Sequence, residues 1–257
     1  MNPNTAKKLT RKAAIVGGKT LLSYFDRHKY KGHFKGEISN KMILTTEAKM
    51  AAVFEETLSS IAYEQGTGEL RLGKHKIKCF ACDSPFQHWQ GIRRFAVAVA
   101  WYHNKEVVRG GIFLPVDNEL YYSEQDKMSK RNNTKIQMIE PLDLKDAYLA
   151  IIHGGHQAGE VEFNIARNLK SSGIRWTMSD GLLYSAALLL NNNLNAIILT
   201  DLDSPYLPLL EMMMLSNDGS VVRLSSQDAH SKEVVVLCHK RFSRLIVEQL
   251  TGVFALE

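Results

Sequence analysis

Cysteine is scarce in this sequence, with three in 257 residues. That number excludes a disulfide framework and predicts a reducing compartment, the cytoplasm. No apolar run approaches the roughly 18 residues that a membrane span needs. The opening Met1-Asn-Pro-Asn-Thr-Ala-Lys-Lys lacks the apolar core of a secretory signal. Also missing are the phosphate-cradling G-x-x-x-x-G-K-S/T loop, the H-E-x-x-H zinc helix and the nucleophile elbow. Internal repeats and low-complexity tracts are absent as well. What remains is 45% hydrophobic and 23% charged, the balance of an ordinary globular chain. Its length suits one large domain or two small ones.

The net charge of +5 is uneven. Residues 1–41 hold ten Lys/Arg against two acids, Asp26 and Glu37, whereas the remainder holds 22 basic and 25 acidic residues. A basic N-terminal segment attracts nucleic acid or another polyanion. The same charges also suit a solvated helix face, because no aromatic or glycine-rich RNA motif accompanies them.

Apolar spacing predicts a helix over 5–27, with Leu9, Ala13, Val16, Leu21, Tyr24 and Phe25 on one face. Gly17-Gly18 would permit close packing there. A basic loop is expected from His28 to Lys41, then a second helix from an N-cap at Thr46 to about Glu64. Gly66-Thr-Gly-Glu69 punctuates its end. Strands are predicted at Phe95–Trp101, Glu106–Leu114 and Glu119–Ser123, joined by turns at His103–Lys105 and Pro115–Asn118. Past Pro141 the pattern alternates. Strands are expected at Leu149–His153, Ala196–Leu199, Val221–Leu224 and Val234–Cys238, and helices at Gln157–Lys170, Leu182–Leu190, Leu207–Ser216 and Lys240–Leu250. A subdomain boundary near 138–145 follows, dividing the chain into 1–140 and 141–257 within one compact unit.

The stretch Lys78-Cys-Phe-Ala-Cys-Asp83-Ser-Pro through Gly91-Ile92 to Phe95-Ala-Val97 resembles the central motif of the inositol monophosphatase family. There a D-P-x-D-G-T segment with two metal-binding aspartates precedes a glycine and an F-A-V-type strand. Pro115-Val-Asp-Asn-Glu-Leu-Tyr121 is similar to that family's P-x-x-(D/N)-E-L-(F/Y). The family's glycine-rich hairpin is replaced by Asp126-Lys-Met-Ser-Lys-Arg-Asn-Asn133, without glycine. The resemblance covers nearly the whole chain and implies an α/β (α+β) fold, a layered α-β-α-β-α sandwich with an antiparallel N-terminal sheet, and a homodimer.

It also implies where a metal site would lie. The ungapped match sets Phe80 and Asp83 on the two aspartates, with Ser84 following as a substrate contact. Leu44-Thr-Thr-Glu-Ala-Lys49 resembles V-T-x-A-D and puts Lys49 on the acid, while Gly68-Glu69 stands for the metal-binding glutamate of G-E-E. Two anchors, Asn192-Asn-Leu-Asn195-Ala-Ile and Asp218-Gly219, set the C-terminal aspartate on Tyr206, with Asp203 one turn away. The substrate segment G-S-A-A falls on Asp180-Gly181-Leu182-Leu183, and Asn195 replaces the aspartate of R-L-D. The degenerate positions are therefore Lys49, Phe80 and Tyr206, and the surviving catalytic and metal candidates are Asp83, Glu69 and Asp203. A Lys49–Asp83 salt bridge is the favoured filling of the old cation volume, and an anion held by that lysine is the alternative.

Phosphate monoester hydrolysis on such a scaffold uses Mg²⁺ held by hard oxygen ligands. The resemblance thus implies a non-catalytic binding or scaffold protein with no cofactor. The alternative is an active Mg²⁺-dependent phosphatase of an inositol, sugar or nucleotide phosphate. Partners on the first reading are a second copy and a protein or nucleic acid met by the basic segment, with no membrane. Cys79-Phe-Ala-Cys82 would suit zinc or redox work, but it leads into a strand, and buried thiols are the simpler expectation. His153-Gly-Gly-His156 reads as a strand-to-helix turn.

Overall fold

The computed structural model describes residues 2–28, 36–58, 61–64, 66–83, 92–139, 141, 143–153, 159–200, 203–226, 233–250 and 254–256. It divides into two units, Met1–Lys135 and Ile136–Glu257.

The first unit opens with α1 (Pro3–His28) and α2 (Gly36–Glu55). Eight antiparallel strands follow in sequential order: β1 (Ala62–Glu64), β2 (Glu69–Leu72), β3 (His75–Phe80), β4 (Val97–His103), β5 (Glu106–Leu114), β6 (Glu119–Glu124), β7 (Lys127–Arg131) and β8 (Thr134–Lys135). Alternation explains the faces. Ile77 and Cys79 of β3, Val97, Val99 and Trp101 of β4, Phe113 of β5 and Leu120 of β6 share one core with α1 and α2. The opposite row runs Phe80, Ala98, Ile112 and Tyr121 across four strands.

α2 lies ten residues earlier than the sequence pattern suggests. Thr46 caps nothing. It sits inside the helix on the stripe Met42, Thr46, Met50, Phe54, all fully buried at four-residue spacing. Leu58 and Ile61 pack against the core from beyond the helix end, and Ala62–Glu64 is a strand. Gly18 lets α1 approach β5, since a Cβ there would stand 2.2 Å from a ring carbon of Phe113. The hairpins that lack glycine use Asp126 (φ 60°) and Asn132 (φ 54°) in the left-handed region, where short polar side chains are tolerated.

The second unit carries β9 (Tyr148–Ile152), α3 (Glu160–Ser171), β10 (Arg175–Ser179), α4 (Leu182–Leu190), β11 (Ala196–Leu199), α5 (Leu207–Leu215), β12 (Gly219–Ser226), β13 (Val234–His239), α6 (Ser243–Leu250) and β14 (Phe254–Leu256). Its mixed sheet has the order β10-β9-β11-β13-β12-β14, with β9, β10 and β11 parallel. Ile165, Ala166 and Leu169 of α3 and Ile246, Val247 and Leu250 of α6 cover Leu149, Ile151, Ile198 and Val236. α4 packs against β11, and α5 against β12 and β13. The predicted spans of β5, α4 and β11 coincide with those observed. β10 escaped the sequence pattern because it is a half-exposed strand at the sheet edge. No helix among the described residues is long and apolar enough to cross a membrane.

Candidate functional site

In the first unit the end of β3 brings part of the expected site together. Strand register sets Glu69 of β2 opposite Lys78 of β3. The Glu69 carboxylate lies 3.6 Å from Lys76 Nζ, 3.6 Å from Lys78 Nζ and 3.8 Å from an Arg71 guanidinium nitrogen. Lys78 Nζ also stands 5.5 Å from the centroid of the Phe80 ring, its neighbour two residues along the same face. Phe80 is 5% exposed.

Asp83, three residues past the strand, is 8% exposed. Its Oδ1 accepts a hydrogen bond of 2.8 Å from the Ala96 backbone N–H, and its own N–H donates to the Ala96 carbonyl at 3.3 Å. The aspartate therefore ties the segment after β3 to the segment before β4. Ser84 and Gly91 lie outside the described residues.

Lys49 points to solvent from α2, and among the described residues no ion pair joins it to Asp83. The expected Lys49–Asp83 bridge does not form, because Lys49 is exposed. At four-residue spacing the buried stripe runs through Thr46 and Met50, which leaves the intervening Lys49 on the outer face. Among the described side chains of this helix, the acid that turns inward is Glu47, two positions earlier. Its carboxyl packs where a Cβ on Gly68 would come within 3.2 Å of it. Burial pushes the Glu47 carboxyl up to about 7, against the pull of Lys78. The signal was in plain view: Thr45-Thr46-Glu47 places an acid directly after the threonine pair.

Gly68 (φ 66°) is fixed by this crowding. A Cβ would fall 2.4 Å from the Cys79 carbonyl oxygen, while Cys79 N–H donates to the Gly68 carbonyl at 2.8 Å. Cys79, Cys82 and Cys238 are buried free thiols. Burial, and then the Glu47 carboxylate, push the Cys79 thiol well above its ordinary range, and burial pushes Cys238 up to about 12. Protonated buried thiols of this kind serve as packing groups.

The second unit holds the remaining positions. Asp180 is half-buried just before α4, and Gly181 N–H donates to Ser179 Oγ at 3.1 Å. Asp203 is exposed. Half-buried Tyr206 is the N-cap of α5, its carbonyl accepting from the Leu209 and Leu210 N–H groups at 3.1 and 3.2 Å. Asn195 holds the start of β9, with Oδ1 accepting from Tyr148 N–H at 2.9 Å. His153 is half-buried after β9, whereas His156 lies outside the described residues. Among the described residues no three His, Cys, Asp or Glu side chains stand close enough together to share a metal ion.

No protein-family model matches the chain, and no curated protein sequence is similar enough to match. Solved structures do match. The extragenic suppressor protein SuhB from Bartonella henselae superimposes with a TM-score of 0.75 at 16% identity, over 96% of this chain and 99% of that one. The inositol monophosphatase from Anabaena gives 0.75 at 13% identity over 98% of each chain. The Thermotoga maritima inositol monophosphatase gives 0.74 at 14% identity, over 97% of this chain and 96% of that one. The chain thus has the inositol monophosphatase fold, the α/β sandwich expected from its motifs. At such identities the likeness extends to the fold alone.

Proposed function

We propose that this inositol monophosphatase-fold protein has a degraded cation site and works by binding or scaffolding rather than by hydrolysis. The observation that carries the reading is the state of Glu69. Its carboxylate is already shared by Lys76, Lys78 and Arg71. A Mg²⁺ about 4 Å from one ammonium is repelled by roughly 8 kcal/mol at an effective dielectric constant of 20. The ion also needs hard oxygen donors in near-octahedral array. Phe80 offers none, and Asp83 spends Oδ1 on the Ala96 N–H. This donor set does not fit Mg²⁺.

The reading includes a homodimer and a polyanionic or protein partner met by the basic N-terminal segment. Lys8 and Lys41 on the exposed faces of α1 and α2 support that partner surface. A second reading, an active Mg²⁺-dependent phosphatase of an inositol, sugar or nucleotide phosphate, draws support from Glu47. That carboxyl is an inward-turned acid beside Gly68, the residue before Glu69, although it does not stand with Glu69 and Asp83 closely enough for the three to share one ion.

Phosphomonoesterase assays with Mg²⁺ or Mn²⁺ separate the two. The binding reading expects no turnover above the protein-free rate, and none that Asp83→Asn removes. Metal-dependent turnover that Asp83→Asn abolishes would sink it.

A further inference from the structure

Where the first turns of α1 meet the β6–β7 hairpin, the first unit holds a cavity of about 170 Å³. Asn4 and Lys7 of α1 line one side, and Tyr122, Glu124, Lys127 and Lys130 of the hairpin line the other. Lys127 and Lys130 belong to the glycine-free segment that begins at Asp126. Strand register brings the side chains together, since it sets Lys130 across from Tyr122 and Lys127 across from Glu124. Lys7 Nζ reaches the same ring from α1, 5.6 Å from the Tyr122 centroid. Two ties hold the helix against the sheet. Arg109 donates to the Pro3 carbonyl at 3.0 Å, and Arg11 donates to the Asn132 carbonyl and Asn133 Oδ1 at 3.3 and 3.2 Å.

The charges around the cavity do not cancel. Glu124 Oε2 accepts from Lys127 at 2.6 Å, and Oε1 accepts from the Tyr122 hydroxyl at 3.1 Å, so both oxygens already face protein donors. Burial opposes the charge of Glu124, but those hydrogen bonds outweigh it and hold the carboxyl below its ordinary pKa. One acid thus neutralises one lysine. Among the described residues no carboxylate pairs with Lys7 or Lys130, and both side chains are half-buried. Their surplus of two positive charges matches the roughly −1.5 to −2 of a phosphate monoester at pH 7. Size agrees as well. A cavity of about 150 Å³ takes a benzene molecule, so this one takes a phosphate group but not its sugar and base besides.

We propose that this cavity binds a phosphate group, held between Lys7 and Lys130, with the Asn4 amide and Lys127 at its edge. Lysine serves phosphate as a point charge on a flexible stem, which suits two ammonium groups arriving from different elements. The group comes from a free phosphate compound or from a nucleic acid, and only the second source rests on the polyanion reading above. None of Glu47, Glu69 and Asp83 takes part, so the site is independent of the fate of the cation site.

The test is a titration of inorganic phosphate against the full chain at low ionic strength, followed by ³¹P NMR line width. Saturable binding is expected. Lys7→Met and Lys130→Met keep the apolar stem beside Tyr122 and remove the charge. Each should weaken binding by about ten- to a hundredfold. Glu124→Gln keeps an acceptor for the Tyr122 hydroxyl, frees Lys127 and should tighten binding. Lys170→Ala, in the second unit, should change nothing, and thermal melts confirm that each variant folds. A second arm measures the anisotropy of a labelled single-stranded oligonucleotide. Displacement of the oligonucleotide by phosphate assigns the group to nucleic acid. Phosphate binding without oligonucleotide binding assigns it to a free phosphate compound and removes only the nucleic-acid part of the polyanion reading. Oligonucleotide binding without saturable phosphate binding keeps that reading and overturns the cavity. So would equal phosphate affinity in wild type, Lys7→Met and Lys130→Met, or a Glu124→Gln protein that binds no tighter.

Discussion

Removing the carboxylate of Asp83 asks whether that group is a structural clip or a free metal ligand. Asp83→Ala deletes the acceptor for the Ala96 N–H, held at 2.8 Å at a site where Ala96 is fully buried. Leaving a buried N–H unpaired costs roughly 1–3 kcal/mol, with bonds to charged acceptors at the upper end. Asp83→Asn retains an oxygen in the same position and loses only the charge assistance, about 1 kcal/mol. Total stabilities of about 5–15 kcal/mol make the difference measurable. Urea unfolding with an unchanged denaturant slope should rank wild type above Asp83→Asn, and Asp83→Asn above Asp83→Ala. The reasoning fails if Asp83→Ala equals wild type. It also fails if either variant is more stable, because that is the behaviour of a carboxylate held ready for a cation and repelled by its acidic neighbours.

Three further outcomes follow from packing and charge. Burial raises the Glu47 carboxyl from 4.5 to about 7, so the folded state holds its proton more tightly than the unfolded chain. Stability from this group is complete below pH 4.5, falls as pH rises toward 7 and is flat above; Glu47→Gln should remove that fall. Discounted for partial exposure, the gain at pH 8 is about 1–2 kcal/mol, read from unfolding free energies across pH. Gly18→Ala drives a methyl into the Phe113 ring and should destabilise by about 1–3 kcal/mol. Gly17→Ala meets only the Met50 thioether at 2.5 Å, which can rotate away, and about 1 kcal/mol of helix propensity offsets it. Urea midpoints should therefore fall for Gly18→Ala and barely move for Gly17→Ala. Glu69→Gln should leave three cations without their shared anion and lower the melting temperature at low salt more than at high salt, since exposed charges are screened.

Where burial and period agreed, the sequence could be read to the residue. α4 is a nearly continuous apolar run and β11 a continuous one, β5 alternates before ending in the apolar Ile112–Leu114, and with the punctuation of Asn104-Lys105, Gly181 and Asn191–Asn193 their ends coincide with prediction. α2 failed because Gly36 and the surrounding charges look like a loop, while Thr46 looks like a cap. Only the helix itself reveals that Thr46 continues the Met42–Met50–Phe54 stripe. The site was misplaced for another reason. Matching Leu44–Lys49 to V-T-x-A-D drew attention to Lys49 and past Glu47, whose inward turn depends on Gly68 leaving room beside it. Glu69 was read as a carboxylate, but its three partners come from alternation along β2 and β3, a hairpin absent from the sequence-based reading. A motif alone could not show that Asp83 is tied to Ala96, because the clip depends on how the chain returns from residue 83 to β4.

On the proposed binding reading, the acids near the end of β3 do not gather magnesium. Calorimetric titration of the full chain with MgCl₂ addresses it most directly. The account predicts no saturable heat and no change when Asp83→Asn or Glu69→Gln is titrated instead. Saturable binding in the wild type that either substitution removes would contradict it.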